Sequence, residues 1–259
     1  MRRESIKAHF LFWKQRSHFV ISHSLNLLFP IRCVHCGAIG EQICARCNPL
    51  IQWIMMPFCQ YCGIPGSTST HHTCIDRTVL EQIRTATIFS GPIRKALHAL
   101  KYRNNRSLAN LLVTLSSPYW PIASWGIDCI VPIPMGLDRL KERGYNQAEL
   151  IARSISELAN IPMENHIIMR TRETRSQVGL ALDERKRNLE GAFSSRDIQG
   201  RRILLVDDVC TTGATMQECA KALRKAGAVS VHAVAIARAV PTYLIGKKDN
   251  SHISQGETP

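Results

Sequence analysis

The segment that most constrains this chain is residues 203–215, which read Ile-Leu-Leu-Val-Asp-Asp-Val-Cys-Thr-Thr-Gly-Ala-Thr. The apolar start predicts a buried parallel strand, two carboxylates follow at its carboxyl end, and a Thr/Gly loop then opens a helix. Open α/β sheets bind ligands at the carboxyl ends of their strands, and a helix N-terminus attracts phosphate. The segment therefore predicts a phosphate-binding loop, with a strand–turn–helix connection merely capped by Asp and Thr as the alternative.

Two groups of residues in this segment suit two parts of a ligand. Asp207 and Asp208 would repel a phosphate, so they suit a ribose diol or a nearby magnesium ion. The backbone N–H groups and hydroxyls of the loop suit the phosphate itself, and the loop residues are Thr211, Thr212, Gly213, Ala214 and Thr215. The Gly-Lys-Ser/Thr ending of a Walker loop is absent, as is the glycine spacing of a dinucleotide fold.

From residue 83 onward, apolar strands alternate with amphipathic helices, and this pattern predicts a parallel sheet covered on both faces. Strands are predicted at residues 83–89, 127–134, 166–169, 203–206 and 229–237. Helices are predicted at residues 92–102, 107–116 and 146–159, and from near Gly213 to near Gly227. The fold class is therefore α/β.

The flanking segments differ in composition from this domain. We predict a basic leader helix at residues 1–30, a cysteine-rich module at 31–77, the α/β domain at 83–240 and a disordered polar tail at 241–259. The leader is expected to pack on the protein itself, with a helix lying on a membrane or on DNA as the alternative. We expect neither a signal peptide nor a transmembrane segment. The cysteine pattern favours metal binding in a reducing compartment, and we expect a cytoplasmic protein.

Cysteine spacing predicts metal binding. Seven of the ten cysteines lie between residues 33 and 74, mostly as Cys-x-x-Cys pairs in otherwise ordinary globular sequence, which favours metal over disulfides. Four thiolates suit a structural zinc ion, with disulfides or an iron–sulfur cluster as alternatives, and they are Cys33, Cys36, Cys44 and Cys47. A second metal site has three candidate ligands, Cys59, Cys62 and Cys74, which His71 or His72 could complete.

Further motifs accompany the phosphate loop. They are Leu-Lys-Tyr at 100–102, Val-Pro-Ile-Pro at 131–134, Arg139, Arg-Gly-Tyr-Asn-Gln-Ala at 143–148, Gln177, Leu180, Arg-Lys-Arg-Asn at 185–188 and Gly-Ala-Phe at 191–193. Together with the cysteine pairs, these segments resemble the ComF family over roughly residues 25–240.

The resemblance implies a type I phosphoribosyltransferase-like domain behind a zinc finger, binding phosphoribosyl pyrophosphate with Mg²⁺. It implies that Asp207 and Asp208 hold the ribose hydroxyls and that the loop holds the 5′-phosphate. It also implies a setting in natural competence, where imported single-stranded DNA is handled in the cytoplasm. The fold and the binding site follow from such a resemblance more securely than an activity does.

Basic residues near the predicted site are candidates for the pyrophosphate. Arg139 and Arg143 follow a strand end, and their guanidinium groups pair well with phosphate oxygens, although they could instead solvate a helix. Lys101 could reach the same anion or lie on the surface. Residues 170–190 occupy the place of a mobile hood loop, whose basic side chains could neutralise pyrophosphate, grip DNA or simply be solvated.

Three functions stay open. The chain could be a phosphoribosyltransferase acting on an unknown acceptor, a non-enzymatic protein that senses the ligand and handles single-stranded DNA, or an adaptor that docks a helicase or competence partner through the zinc module. The net charge of +13 favours phosphate-rich partners, while an aromatic content of 6% argues against an extensive base-stacking platform. No residue stands out as a nucleophile or general base.

Overall fold

The computed structural model describes residues 30–65, 76, 78–172 and 189–240. The predicted leader apart from residue 30, the predicted tail and most of the predicted hood loop lie outside these residues. The chain divides into two compact units, residues 1–50 and 51–259. Within the described ranges, no helix has the length and apolar character needed to cross a membrane.

The described part of the first unit is a cysteine knuckle followed by a second turn. Arg32 and Ile39 pair as an antiparallel bridge, and the N–H of Cys33 donates to the carbonyl of Ala38 at 2.8 Å. Gly37 closes the turn with a φ of +80°, a conformation that side chains disfavour. A final 3₁₀ turn spans Asn48–Leu50.

The second unit alternates strands and helices. Its described strands are β1 (Gln82–Ile88), β2 (Cys129–Pro132), β3 (Ile168–Arg170), β4 (Phe193–Ser195), β5 (Arg202–Cys210) and β6 (Ser230–Arg238). Its described helices are α1 (Gly91–Tyr102), α2 (Leu108–Ser116), α3 (Ile122–Trp125), α4 (Leu137–Arg143), α5 (Gln147–Ala159) and α6 (Ala214–Lys225), with a 3₁₀ turn at Ser117–Tyr119.

Four strands form one parallel sheet in the order β1-β6-β5-β2. Because side chains alternate along a strand, successive residues of β2 and β5 point to opposite faces of the sheet. On one face, Val131 and Leu205 pack with α6 and the hairpin of β3 and β4. On the other face, α5 covers β2 and β5 and also packs on α2. The predicted fold class, a parallel sheet with flanking helices, is confirmed.

The sequence placed the end of β5 too early. The strand continues through both aspartates to Cys210, because Asp207 pairs with Ala235 and Val209 pairs with Ala237 of β6. Sequence patterning also missed α4, a short helix in which every residue is exposed or half-buried, so it carries little apolar periodicity. The carboxyl ends of β2 and β5 lie side by side, and this edge of the sheet holds the site.

Candidate functional site

A cavity of about 570 Å³ opens at the carboxyl ends of the parallel strands. Eight predicted site residues line it: Lys101, Arg139, Arg143, Asp207, Asp208, Thr211, Gly213 and Thr215. They come from three separate stretches of the chain, so the fold gathers them. The remaining predicted loop residues, Thr212 and Ala214, are not among those that line the cavity. Thr212 accepts the N–H of Ala214 on its Oγ1 at 3.3 Å.

The two aspartates differ in their surroundings. Asp208 is buried, forms an ion pair with the Lys101 ammonium and lies 3.5 Å from the Gln147 side-chain amide. Asp207 is half-buried and faces the cavity, and its Oδ1 accepts the N–H of Asp208 at 2.8 Å. Asp208 is thus neutralised within the protein, whereas Asp207 is the carboxylate presented to a ligand.

Burial and nearby charges set the protonation of Asp207. Burial, followed by repulsion from Asp208, raises the pKa of Asp207 to about 8. For Lys101, burial alone would lower the pKa, but the attraction of Asp208 outweighs it and the pKa lies above its usual value. Asp207 therefore holds a proton near neutral pH that a ligand hydroxyl or a cation would displace.

The loop between β5 and α6 needs glycine at residue 213. Gly213 has a φ of +84°, and a Cβ there would lie 2.9 Å from the Cδ1 of Ile83. Its carbonyl then accepts the N–H of Gln217 at 2.9 Å and begins helix α6. The backbone N–H groups of the first helical turn carry positive partial charge beside the cavity, which is the arrangement that binds a phosphate ester.

Sequence analysis did not identify Arg238, which supports this loop. Arg238, the last residue of β6, is fully buried and donates to the Thr211 carbonyl at 3.3 Å. It also donates to the Cys62 carbonyl and, at 3.4 Å, to the Thr85 hydroxyl. The sequence alone could not reveal this role, because many strands end in an arginine that is exposed.

Basic side chains also line the cavity. Arg143, at the end of α4, donates to the Gln147 side-chain oxygen and lies 5.1 Å above the Tyr102 ring. Arg139 lies one turn earlier on the same short helix. Arg170, expected only as part of a basic hood loop, ends β3 and lines the cavity as well. The cavity thus has acidic side chains on β5 and a set of arginines, Arg139, Arg143 and Arg170, which we call the basic rim.

The first four cysteines form one cluster in the first unit. Their sulfur atoms all lie within 4.8 Å of one another, which is the spacing of a tetrahedral metal site, and the residues are Cys33, Cys36, Cys44 and Cys47. The N–H of Cys44 donates to the Cys33 sulfur at 3.5 Å. Burial raises the pKa of Cys33, but the backbone N–H groups that it accepts lower it to about 6, which favours the thiolate. The residues fit structural zinc.

Cys59 and Cys62 form a second knuckle, which lies within the second unit and packs into its core. The N–H groups of Tyr61 and Cys62 donate to the Cys59 sulfur at 3.3 and 3.4 Å, as in a knuckle that binds metal through a thiolate. The third candidate ligand, Cys74, and the candidate histidines His71 and His72 lie outside the described residues. The second metal site therefore stays a prediction.

Comparison with known proteins identifies the family. The phosphoribosyl transferase domain matches residues 131–251, and the double zinc ribbon domain matches residues 24–77. Competence protein F of Haemophilus influenzae is 31% identical over 228 residues, which is 82% of this chain and 98% of that protein. The chain belongs to the ComF family.

Other ComF-family relatives agree over most of their length. The DNA utilization protein YhgH of Escherichia coli K12 is 31% identical over 70% of this chain and 83% of that protein. Competence protein ComFC of Bacillus subtilis 168 is 27% identical over 76% of this chain and 85% of that protein. The predicted family is confirmed.

One family model covers both cysteine clusters. In this ComF-family chain, the double zinc ribbon match covers both the Cys33–Cys47 cluster and the Cys59–Cys62 knuckle. The match and the four-sulfur cluster together indicate structural zinc. A boundary between compact units nevertheless falls between the two, after Leu50.

Proposed function

We propose that the cavity binds phosphoribosyl pyrophosphate together with Mg²⁺. The observation that carries the proposal is the pairing, on one strand–loop–helix segment, of the cavity-facing carboxylate of Asp207 with a helix N-terminus that begins at Gly213. A pentose 5-phosphate presents the two complementary groups, a diol and an anionic ester. Asp208 takes part by holding the Lys101 ammonium at the floor of the cavity.

The basic rim suits the pyrophosphate end of the same molecule. Arg139, Arg143 and Arg170 line the cavity, so they offer positive charge to the most negative group of the ligand. Lys101 is engaged with Asp208 but borders the same space, so it can add positive charge to the anion. Bound Mg²⁺ would supply further neutralisation of the pyrophosphate charge.

The chain's own residues can assist displacement of pyrophosphate from ribose C1′ if an acceptor reaches it. Once its proton has been displaced, the Asp207 carboxylate would stabilise an oxocarbenium-like sugar, and the basic rim would stabilise the leaving anion. Transfer of phosphoribose to an unknown acceptor is therefore the second candidate function, favoured by the arginines that line the cavity beside Asp207. Pyrophosphate release in the presence of candidate bases tests it.

We further propose a role in natural competence, in the handling of imported single-stranded DNA in the cytoplasm. The names of the relatives from Haemophilus influenzae and Escherichia coli support this setting, as does the net charge of +13. In this proposal residues 31–77 form the zinc module and residues 83–240 the phosphoribosyltransferase-like domain. The zinc module is then the candidate docking site for a helicase or another competence protein.

Calorimetric titration with phosphoribosyl pyrophosphate and Mg²⁺ tests ligand binding. We expect wild-type protein to bind and the Asp207→Asn/Asp208→Asn variant to lose at least tenfold in affinity, about 1.4 kcal/mol. Asp197→Asn, which removes an exposed carboxylate outside the cavity, is the matched control. Retained affinity in the double variant would refute the assignment of the ribose site.

A further inference from the structure

A row of three aromatic rings leads from the mouth of the cavity along helix α1. The Phe89 and His98 rings stack with centroids 6.2 Å apart, and the His98 and Tyr102 rings lie 5.6 Å apart. His98 and Tyr102 are one helical turn apart on the same face of α1. We call Phe89, His98 and Tyr102 the aromatic ladder.

Two of the three rings of the aromatic ladder are exposed to solvent. Tyr102 is 65% exposed and His98 is exposed, while Phe89 is half-buried. Both ends of the ladder, Phe89 and Tyr102, line the cavity. The His98 and Tyr102 ring planes are tilted by 52° to one another. Exposed aromatic rings beside cations are the feature on which unpaired nucleobases stack.

The chain segment that carries the ladder has charge of one sign. Residues 82–127 contain six Lys and Arg and no Asp or Glu. After burial, the causes that lower the pKa of His98 are the positive charges that surround it, Arg94, Lys101, Lys95 and Arg103. A neutral aromatic strip flanked by cations matches the alternation of bases and phosphates in a nucleic-acid strand.

We propose that the aromatic ladder and the cations beside it bind single-stranded DNA, with bases stacked on the rings and phosphates on Arg94, Lys95 and Arg103. The inference rests on the proposed DNA role and names its surface. A duplex is a poor fit because its base faces are already stacked on one another. From Arg94 to Tyr102 the helix rises about 12 Å, which is the length of about three stacked nucleotides. A chain with few aromatic residues can therefore still bind a short segment of single-stranded DNA.

Fluorescence anisotropy with a labelled oligothymidylate of about twenty nucleotides, longer than common single-strand site sizes, measures the interaction. His98→Ala should weaken binding about fivefold or more because it removes the middle ring. Tyr102→Leu should weaken binding similarly, whereas Tyr102→Phe, which keeps the ring, should retain it. His166→Ala removes an exposed histidine outside the ladder and should have no effect.

The salt dependence tests the phosphate contacts separately. Arg94→Ala/Lys95→Ala should reduce the slope of log K against log salt by about 1.4, the value expected for two contacts to a single strand. Lys221→Ala/Lys225→Ala removes the same charge from exposed positions on α6 and should leave the slope unchanged. Affinity for phosphoribosyl pyrophosphate should stay within about threefold of wild type in each pair, since none of these residues lines the cavity.

Two kinds of failure are distinguishable. Wild-type protein that binds no single-stranded DNA would refute the proposed DNA role, and the surface with it. The second outcome is that wild-type protein binds single-stranded DNA while His98→Ala and Arg94→Ala/Lys95→Ala bind as their controls do. It would refute the assignment of this surface and leave the proposed DNA role standing. Equal affinity for a duplex of the same length would also overturn base stacking on the ladder.

Discussion

Replacing Asp207 by Asn should stabilise the ligand-free protein while destroying its ligand site. Burial and the charge of Asp208 raise the pKa of Asp207 from 3.8 to about 8, so the folded protein resists the ionised form that the unfolded chain adopts. At about 1.36 kcal/mol per pKa unit the limit is about 6 kcal/mol. Because Asp207 is only half-buried, solvent screens part of this, and we expect about 2 kcal/mol, or about 4–8 °C in Tm. Asn keeps an oxygen that can accept the Asp208 N–H.

The sign of the pH dependence follows from the raised pKa. Wild-type protein should lose free energy of unfolding relative to Asp207→Asn as the pH rises from about 4 to about 8, with no difference below and no further change above. Affinity of wild-type protein for phosphoribosyl pyrophosphate should rise over the same window, because ribose hydroxyls donate to the ionised carboxylate. Affinity of the variant should be lower and should lack this rise.

Urea unfolding at pH 4, 6 and 8, paired with calorimetric titration at pH 6 and 8, measures both effects. Asp197→Asn, an exposed carboxylate, serves as the control for a lost negative charge. A variant less stable than wild type at pH 8, or a difference in stability that does not change with pH, would refute the reasoning about Asp207.

Three further changes probe the supports of the site. Arg238→Met should cost about 2–4 kcal/mol in urea unfolding, because it removes the donor to the buried Cys62 carbonyl and to the Thr211 carbonyl, and a loss equal to that of an exposed arginine would contradict this. Gly213→Ala should cost about 1–2 kcal/mol of stability from its positive φ and should lower ligand affinity in calorimetry, so unchanged affinity would contradict the role of the loop. Cys36→Ser should remove one zinc equivalent in elemental analysis and leave phosphoribosyl pyrophosphate binding intact, and an unchanged zinc content would refute the four-sulfur site.

The local chemistry of the ligand and metal sites was predictable because it depends on residues that lie close together in the sequence. The strand, carboxylates and loop of residues 203–215 specify a ligand edge without knowledge of the fold, and the spacing of Cys33 to Cys47 specifies a metal cluster. The periodicity of α5, with Ile151 and Ile155 buried on one face, likewise predicts a helix against a sheet. Each of these patterns repeats within a few residues, so no distant partner is needed to read it.

Pairings between distant residues were decided by the tertiary structure. Lys101 was predicted as a pyrophosphate ligand, and only the packing of α1 against the end of β5 brings its ammonium to Asp208. The extension of β5 past Asp207 depends on its ladder with β6. The burial of Arg238 depends on the knuckle of Cys62 closing over the sheet.

The sequence by itself therefore determined the α/β class, the position of the phosphate loop and the four sulfur ligands. The tertiary structure decided which charge neutralises which, which carboxylate faces the ligand, and that the aromatic ladder opens at the same mouth. The physical reason is that strand and helix propensities and motif spacing act along the chain, whereas ion pairing and burial depend on which segments the strand order β1-β6-β5-β2 makes neighbours.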